Sequence, residues 1–378
     1  MSAPPPTSRA TLTISMLIGS CALLVLGVQP VFLGAMVQEA RVADSQVGNL
    51  VTIEMLAMAL GSLAGVGLLR RANAKLVIGG AAIALAALNA AQIGQSGIAI
   101  LSAFRGVTGL SEGILVSAAL VTISRAIPVE RASGLFLAAQ TLLQAAVAAA
   151  LPFFSVAGSR TDAALIALAT AGVVGAAAAL MLPASLRPAE PDSERGAVTP
   201  TSLTALCCAG LFLGAIVSVW SYFGLWLIQY RYTPSFEGIA VSLCLVSQVA
   251  GALAAARFAE RLPNSKTIAV CAIGGAALLL LFYLFRNSPP ALIALSMAFG
   301  FLWLFTLPFF TGWLIEIDPG RRAVLYLTAF QLGGAALLPS LAGMAVGYYG
   351  INAMLVFGSV IFAVLTGVAG TFGRHRRA

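Results

Sequence analysis

An all-α polytopic membrane protein is expected from this chain, with twelve transmembrane helices in two six-helix pseudo-repeats. The first reason is the solvent it demands. Of 378 residues, 60% are hydrophobic and 9% charged, and the mean hydropathy is +0.98. A water-soluble domain carries about a quarter charged residues, so the bilayer is the main solvent. The second reason is charge placement. Sixteen of the 21 Lys and Arg residues fall in alternate gaps between apolar runs, four in the other gaps, and Arg105 inside a run. The third is an internal repeat at about half the chain length.

Crossing the hydrocarbon core takes about 20 apolar residues, and cutting at charged or turn-forming residues yields the spans in order. Residues 1–11 are polar and Pro-rich at their start and are expected to be a disordered tail. Span one, 12–36, is too long for a signal-peptide core and has no small-residue cleavage site after it. Span two, 46–69, runs from Asp44 to the Arg70–Arg71 pair; span three, 76–94, from Lys75 to Gly94. Span four, 98–124, stops at Arg125; span five, 132–153, follows Arg131; span six, 162–183, lies between Arg160 and Pro183. Residues 184–201, rich in Pro and charge, read as a linker between a first bundle, 12–183, and a second, 202–372. The second bundle holds spans 202–229, 237–257, 267–285, 290–315, 323–346 and 350–372, before a basic tail, 373–378.

The alternate segments rich in Lys and Arg belong on the cytoplasmic side. Both termini are then cytoplasmic, in a cell inner membrane, which requires an even number of spans. The net charge of +8 is spread over seven short segments, so it reads as orientation against anionic lipid and not as a nucleic-acid footprint. The five cysteines sit in apolar runs and the single histidine, His375, is in the tail, so neither a metal site nor a cofactor is expected. A shift of 191 residues pairs Arg70 with Arg261, Lys75 with Lys266, Pro128 with Pro319, Arg131 with Arg322 and Gln140 with Gln331. Small-xxx-small spacings at Gly61/Gly65, Gly109/Gly113, Gly210/Gly214 and Gly343/Gly347 suit close helix approach.

The 6+6 topology, the central linker and the basic 2–3 and 8–9 loops together resemble the major facilitator superfamily over essentially the whole chain. The 8–9 loop, Ala256-Arg-Phe-Ala-Glu-Arg-Leu-Pro-Asn-Ser-Lys266, is similar to that superfamily's loop pattern, with Glu260-Arg261 at its Asp-Arg positions. The first-half copy, Gly67 to Lys75, keeps the bases and lacks the acid. The resemblance implies two parallel repeats and alternating access. It also implies a central cavity lined by spans one, four, seven and ten with parts of two, five, eight and eleven. Carried onto this chain, that nominates Gln29, Arg105, Gln140, Gln144, Trp220, Tyr222, Gln248, Trp303 and Gln331 as substrate contacts. Polar-tipped aromatics beside amides suit a small amphipathic ligand.

Ionisable residues inside spans cost several kcal/mol unless they are paired or line water, and three stand out: Glu54, Arg105 and Glu112. Glu54 and Arg105 each lie about 12 Å deep from the same side, by helix rise, so they can pair. Glu112 is two turns beyond Arg105 on one face. Either the pair is a static helix-to-helix bridge, or Arg105 attracts an anion while Glu54 or Glu112 carries a proton. At the cytoplasmic end, Arg257, Glu260, Arg261 and Glu316 are candidate gate charges.

No Walker-type loop points to ATP hydrolysis, and no His-Glu-x-x-His or Gly-x-Ser-x-Gly motif points to an enzyme. The expected function is secondary transport, proton-coupled uptake of a small organic anion by a monomer in the bilayer. The alternative is proton-driven efflux of hydrophobic compounds, against which span five lacks the Gly- and Pro-containing motif typical of drug antiporters in that superfamily. A non-transporting receptor is a third class, disfavoured by the lack of a sizeable soluble domain.

Overall fold

Fold and helix boundaries come from a computed structural model, described over residues 8–126, 128–186, 199–259, 261–318 and 323–375. Among the described residues, twelve helices are long and apolar enough to cross a membrane. They are α1 Arg9–Gln38, α2 Val47–Arg71, α3 Ala74–Ala91, α4 Ile98–Ile123, α5 Val129–Ala150 and α6 Arg160–Ala179. Then follow α7 Pro200–Gln229, α8 Pro234–Phe258, α9 Asn264–Leu284, α10 Pro289–Ile317, α11 Leu327–Tyr349 and α12 Ala353–His375. No strand occurs among the described residues. Arg187 and Arg195 of the expected linker, Glu260, Arg321 and Arg322 lie outside them.

Local chemistry sets the helix ends. Helix α1 starts at Arg9 because the Ser8 hydroxyl accepts the Thr11 N–H, three residues ahead of the expected span. Thr199 and Thr233 cap α7 and α8 in the same way, each followed by a proline at the first helical position, where the missing N–H is no loss. Helix α1 is interrupted at Leu23. The Leu23 carbonyl accepts the Gln144 side-chain amide of α5 at 2.6 Å. Gly27 permits this approach, since a Cβ there would lie 2.2 Å from that of Gln144.

The chain forms two compact units, Met1–Arg41 with Ile53–Asp192, and Val42–Thr52 with Ser193–Ala378. In the first, α2 and α4 meet backbone to backbone: a Cβ on Gly61 would strike the Leu110 carbonyl oxygen at 2.1 Å, and one on Gly109 the Glu54 carbonyl oxygen at 2.4 Å. In the second, α8 and α10 repeat the device. A Cβ on Gly251 would strike the Phe301 carbonyl oxygen at 2.2 Å, and one on Gly300 that of Cys244 at 2.0 Å. All eight glycines of the small-xxx-small pairs sit at such contacts, where an added Cβ would meet another atom within 2.0–3.0 Å. Between apolar helices in lipid, close backbone approach takes the place of hydrophobic driving force.

Gly334 makes this testable. Its Cβ would lie 1.8 Å from the Gly210 carbonyl oxygen, whereas one on neighbouring Gly333 would meet nothing within 4 Å. Gly334→Ala is expected to destabilise the second unit by about 1–3 kcal/mol through overpacking. Gly333→Ala should leave the thermal melt in detergent unchanged or slightly raised.

One end of the first unit is tied by charges from two segments, the turn after α1 and the start of α6. Glu39, after α1, accepts the backbone N–H groups of Arg160 at 2.7 Å and Thr161 at 3.1 Å, and the Ser159 hydroxyl at 2.7 Å. These amides open α6, where the helix dipole favours an anion. Ala40, at φ 54°, turns the chain so that Arg41 reaches Asp162 at 2.8 Å and Glu39 at 3.2 Å. Burial pushes the Glu39 carboxyl up, but the hydrogen bonds outweigh it and hold the group below its usual range. The ionised form is therefore favoured by folding. Its contribution is complete above the ordinary carboxylate range and is lost as pH falls through the lowered value. Melting curves taken between about pH 7 and about pH 3 should drop less steeply for Glu39→Gln than for the parent chain.

Candidate functional site

Three helices of the first unit bring their ionisable and amide side chains to one place. Gly109 lets α2 and α4 touch, and it stands one turn from both Arg105 and Glu112 on α4. The contact therefore sets Glu54 of α2 beside both. Arg105, Glu54 and Glu112 are 1%, 3% and 1% exposed. The Arg105 Nη2 makes a close ion pair with Glu54 Oε1 and lies 3.8 Å from Glu112 Oε1. Its Nη1 donates to Asn89 Oδ1 of α3 at 3.2 Å. The Asn89 amide is aimed by its own donation to the Leu85 carbonyl at 2.9 Å. From α1, the Phe32 ring lies 5.4 Å from the guanidinium carbon.

The cluster is incompletely satisfied. Arg105 Nε and Glu112 Oε2 are buried without a hydrogen-bond partner. One cation and two carboxyl groups balance only when the two carboxyl groups hold one proton between them. A net charge so deep costs several kcal/mol. The Arg105–Glu54 pairing expected from equal depth is formed, and Glu112 joins it from the same helix face.

The second unit packs the same helix pair with no ion cluster at the matching positions, its one buried acid on α8 being Glu237 in the first turn. Matching Gly109 against the Glu54 carbonyl with Gly300 against the Cys244 carbonyl puts Cys244, Ser296 and Trp303 at the positions of Glu54, Arg105 and Glu112. Trp303 meets Trp220 edge to face, with centroids 5.7 Å apart. Neutral residues thus suffice to hold this architecture. The charges in the first unit are not required by the packing.

The other nominated residues are dispersed. Gln29 is 2% exposed; Gln144 binds the Leu23 carbonyl; Gln140 is half-buried, with its Oε1 unpartnered. In the second unit, Tyr222 is fully buried and its hydroxyl accepts the Gly48 N–H at 2.8 Å. Gln248 is buried, while Gln331 and Trp303 are half-buried. Arg257 and Arg261 are exposed, and Glu316 accepts from Asn264 Nδ2 at 2.7 Å; Glu260 is outside the described residues. Sequence reasoning missed Asn89. Its signal was that of the one Asn in the third apolar run, directly countable yet no different from that of an Asn satisfied within its own helix.

A family model described as the Major Facilitator Superfamily matches residues 15–323. No curated protein matches the sequence. Among solved structures, a bacterial homologue of the human lysosomal transporter Spinster, inward-facing and occupied, superimposes with a TM-score of 0.72 at 14% identity. The alignment covers 98% of each chain. The nucleoside transporter NupG gives 0.74 at 12% identity, covering 97% of this chain and 100% of that one. At such identities the likeness is one of fold.

Proposed function

The chain belongs to the Major Facilitator Superfamily of membrane transporters, and from that premise we propose proton-coupled uptake of a small organic anion by alternating access. The observation that carries this reading is the buried Arg105 flanked by two carboxyl groups, where the second unit has neutral residues at the three matching positions. A buried ion cluster adds little stability over apolar replacements, so its retention in one unit alone points to work other than packing.

Charge balance gives the mechanism. At rest Glu112, the acid with an unpartnered oxygen, holds the proton, and Glu54 is the ionised partner of Arg105. A substrate carboxylate that takes Arg105 displaces Glu54, which must then be protonated to remain buried. Each monovalent anion therefore travels with one proton, and the loaded cluster is again neutral. Asn89 keeps the guanidinium in place during the exchange. The basic loops, including Arg70, Arg71, Lys75 and Arg257, face the cytoplasm of an inner-membrane protein that works as a monomer.

The Trp220–Trp303 pair favours a second reading, efflux of hydrophobic compounds. Proteoliposomes with an imposed pH gradient separate the two. Uptake needs a carboxylate substrate and an acidic exterior. Loss of a neutral aromatic cargo against a gradient, indifferent to carboxylates, supports efflux.

A further inference from the structure

The second unit carries an apolar groove of about 530 Å³ along α9 and α12. Leu280, Val356 and Val360, three of its lining residues, are 57–63% exposed, so the groove opens toward lipid. On the α12 side it runs from Asn352, just ahead of the helix, to Ala363, about 16 Å by helix rise. That is about half of a 30 Å hydrocarbon core, the depth of one leaflet.

The groove's mouth is polar and cationic. Asn352 accepts the Trp226 indole N–H at 2.9 Å and the Tyr230 hydroxyl at 3.0 Å. Arg286, at the end of α9, lies with its guanidinium carbon 4.6 Å from the Tyr283 ring and 5.9 Å from the Tyr230 ring. Its Nη1 donates to the Tyr283 carbonyl at 2.9 Å. No carboxylate pairs with it among the described residues. Tyr283, 41% exposed, and the half-buried Tyr230 are placed as headgroup-level tyrosines are. A guanidinium held over aromatic rings keeps N–H groups in a fork that fits a phosphate.

We propose that this groove binds an anionic phospholipid, one acyl chain lying between α9 and α12 and the phosphate resting on Arg286. A soluble anion would leave the one-leaflet slot empty. A protein partner would have to bring a carboxylate to the headgroup level beside an apolar ridge. A phospholipid supplies both parts at the right spacing, and the bilayer supplies phospholipid at high local concentration.

Delipidated full-length protein, titrated separately with dioleoyl phosphatidylglycerol, dioleoyl phosphatidylcholine and glycerol phosphate, tests this by native mass spectrometry. Phosphatidylglycerol should be held about fivefold more tightly than phosphatidylcholine, the effect of one interfacial cation, and glycerol phosphate should not be retained. Arg286→Gln should erase the preference, and Arg286→Lys, which keeps the charge but not the fork, should retain part of it. Ser359→Trp, which fills the groove, should weaken both lipids. Equal retention of the two lipids by the parent chain, or a preference surviving in Arg286→Gln, would overturn the proposal. So would retention of glycerol phosphate alone, or a dimer that Ser359→Trp dissociates. Should Arg286→Gln not fold, the parent titration and the Lys and Trp variants still decide.

Discussion

Arg105→Ala is expected to abolish organic-anion binding and to destabilise the protein by about 3–5 kcal/mol, the range for removing one partner of a buried ion pair. The stability loss arises because Glu54 and Glu112, 3% and 1% exposed, are stranded without their cation. Asn89 also loses its partner for Oδ1. Two readouts separate the effects. The thermal midpoint of the unliganded variant reports the stranded carboxyl groups. The further rise produced by a candidate carboxylate reports binding, since a ligand that prefers the native state raises apparent stability. The parent chain should show that rise and the variant none. An efflux carrier of neutral compounds would keep its ligand-induced rise in Arg105→Ala.

Glu54→Gln is expected to uncouple transport. The amide is neutral at every pH and releases no proton. With Glu112 3.8 Å from the guanidinium and still protonated, the resting variant carries the Arg105 charge unbalanced, at a cost in stability. An arriving anion neutralises it without bringing a proton. With one proton per anion, a pH gradient of about one unit accumulates substrate about tenfold, since one unit is worth ~1.4 kcal/mol. In Glu54→Gln that ratio should fall to about one, while counterflow of labelled against unlabelled substrate persists. Glu112→Gln, neutral like the resting acid it replaces, should keep most of the accumulation. If the two variants exchange phenotypes, Glu112 is the coupled acid and the direct partner of Arg105 is the static one.

Much of the architecture was written in the sequence because a bilayer imposes strict rules on a chain. Every span needs length and low charge, so cutting at Arg and Pro found all twelve helices within a few residues. Misplaced ends have local causes. Helix α3 stops at Ala91, short of the expected Gly94, because Gln92 and Gly94, the latter at φ 73°, already turn the chain. The break at Leu23 was hidden, since it depends on Gln144 arriving from another helix. Within the site, equal depth revealed Glu54 with Arg105, and a two-turn spacing revealed Glu112. Asn89 and the Glu39–Arg41–Asp162 clamp were not found. Each joins helices or loops far apart in sequence, and no periodicity encodes which of them meet.

The close helix approaches were legible as glycine spacings but not as partners. The sequence places Gly109 four residues from Gly113; only the fold reveals that Gly109 faces the Glu54 carbonyl and so fixes the acid beside Arg105. The same contact at Gly300 and Cys244 exposes the asymmetry between the halves on which the functional reading rests.

Proton uptake on addition of a transported carboxylate to purified protein, followed with a pH indicator in weakly buffered detergent solution, bears most directly on the exchange at Arg105. The parent chain should take up about one proton per anion bound at near-neutral pH, as charge neutrality of the buried cluster requires. The triple variant Glu54→Gln, Arg105→Met, Glu112→Gln should remain folded with a melting temperature close to that of the parent, yet take up none. Anion binding by the parent chain with no proton uptake would contradict the account, as would a triple variant that collapses like Arg105→Ala.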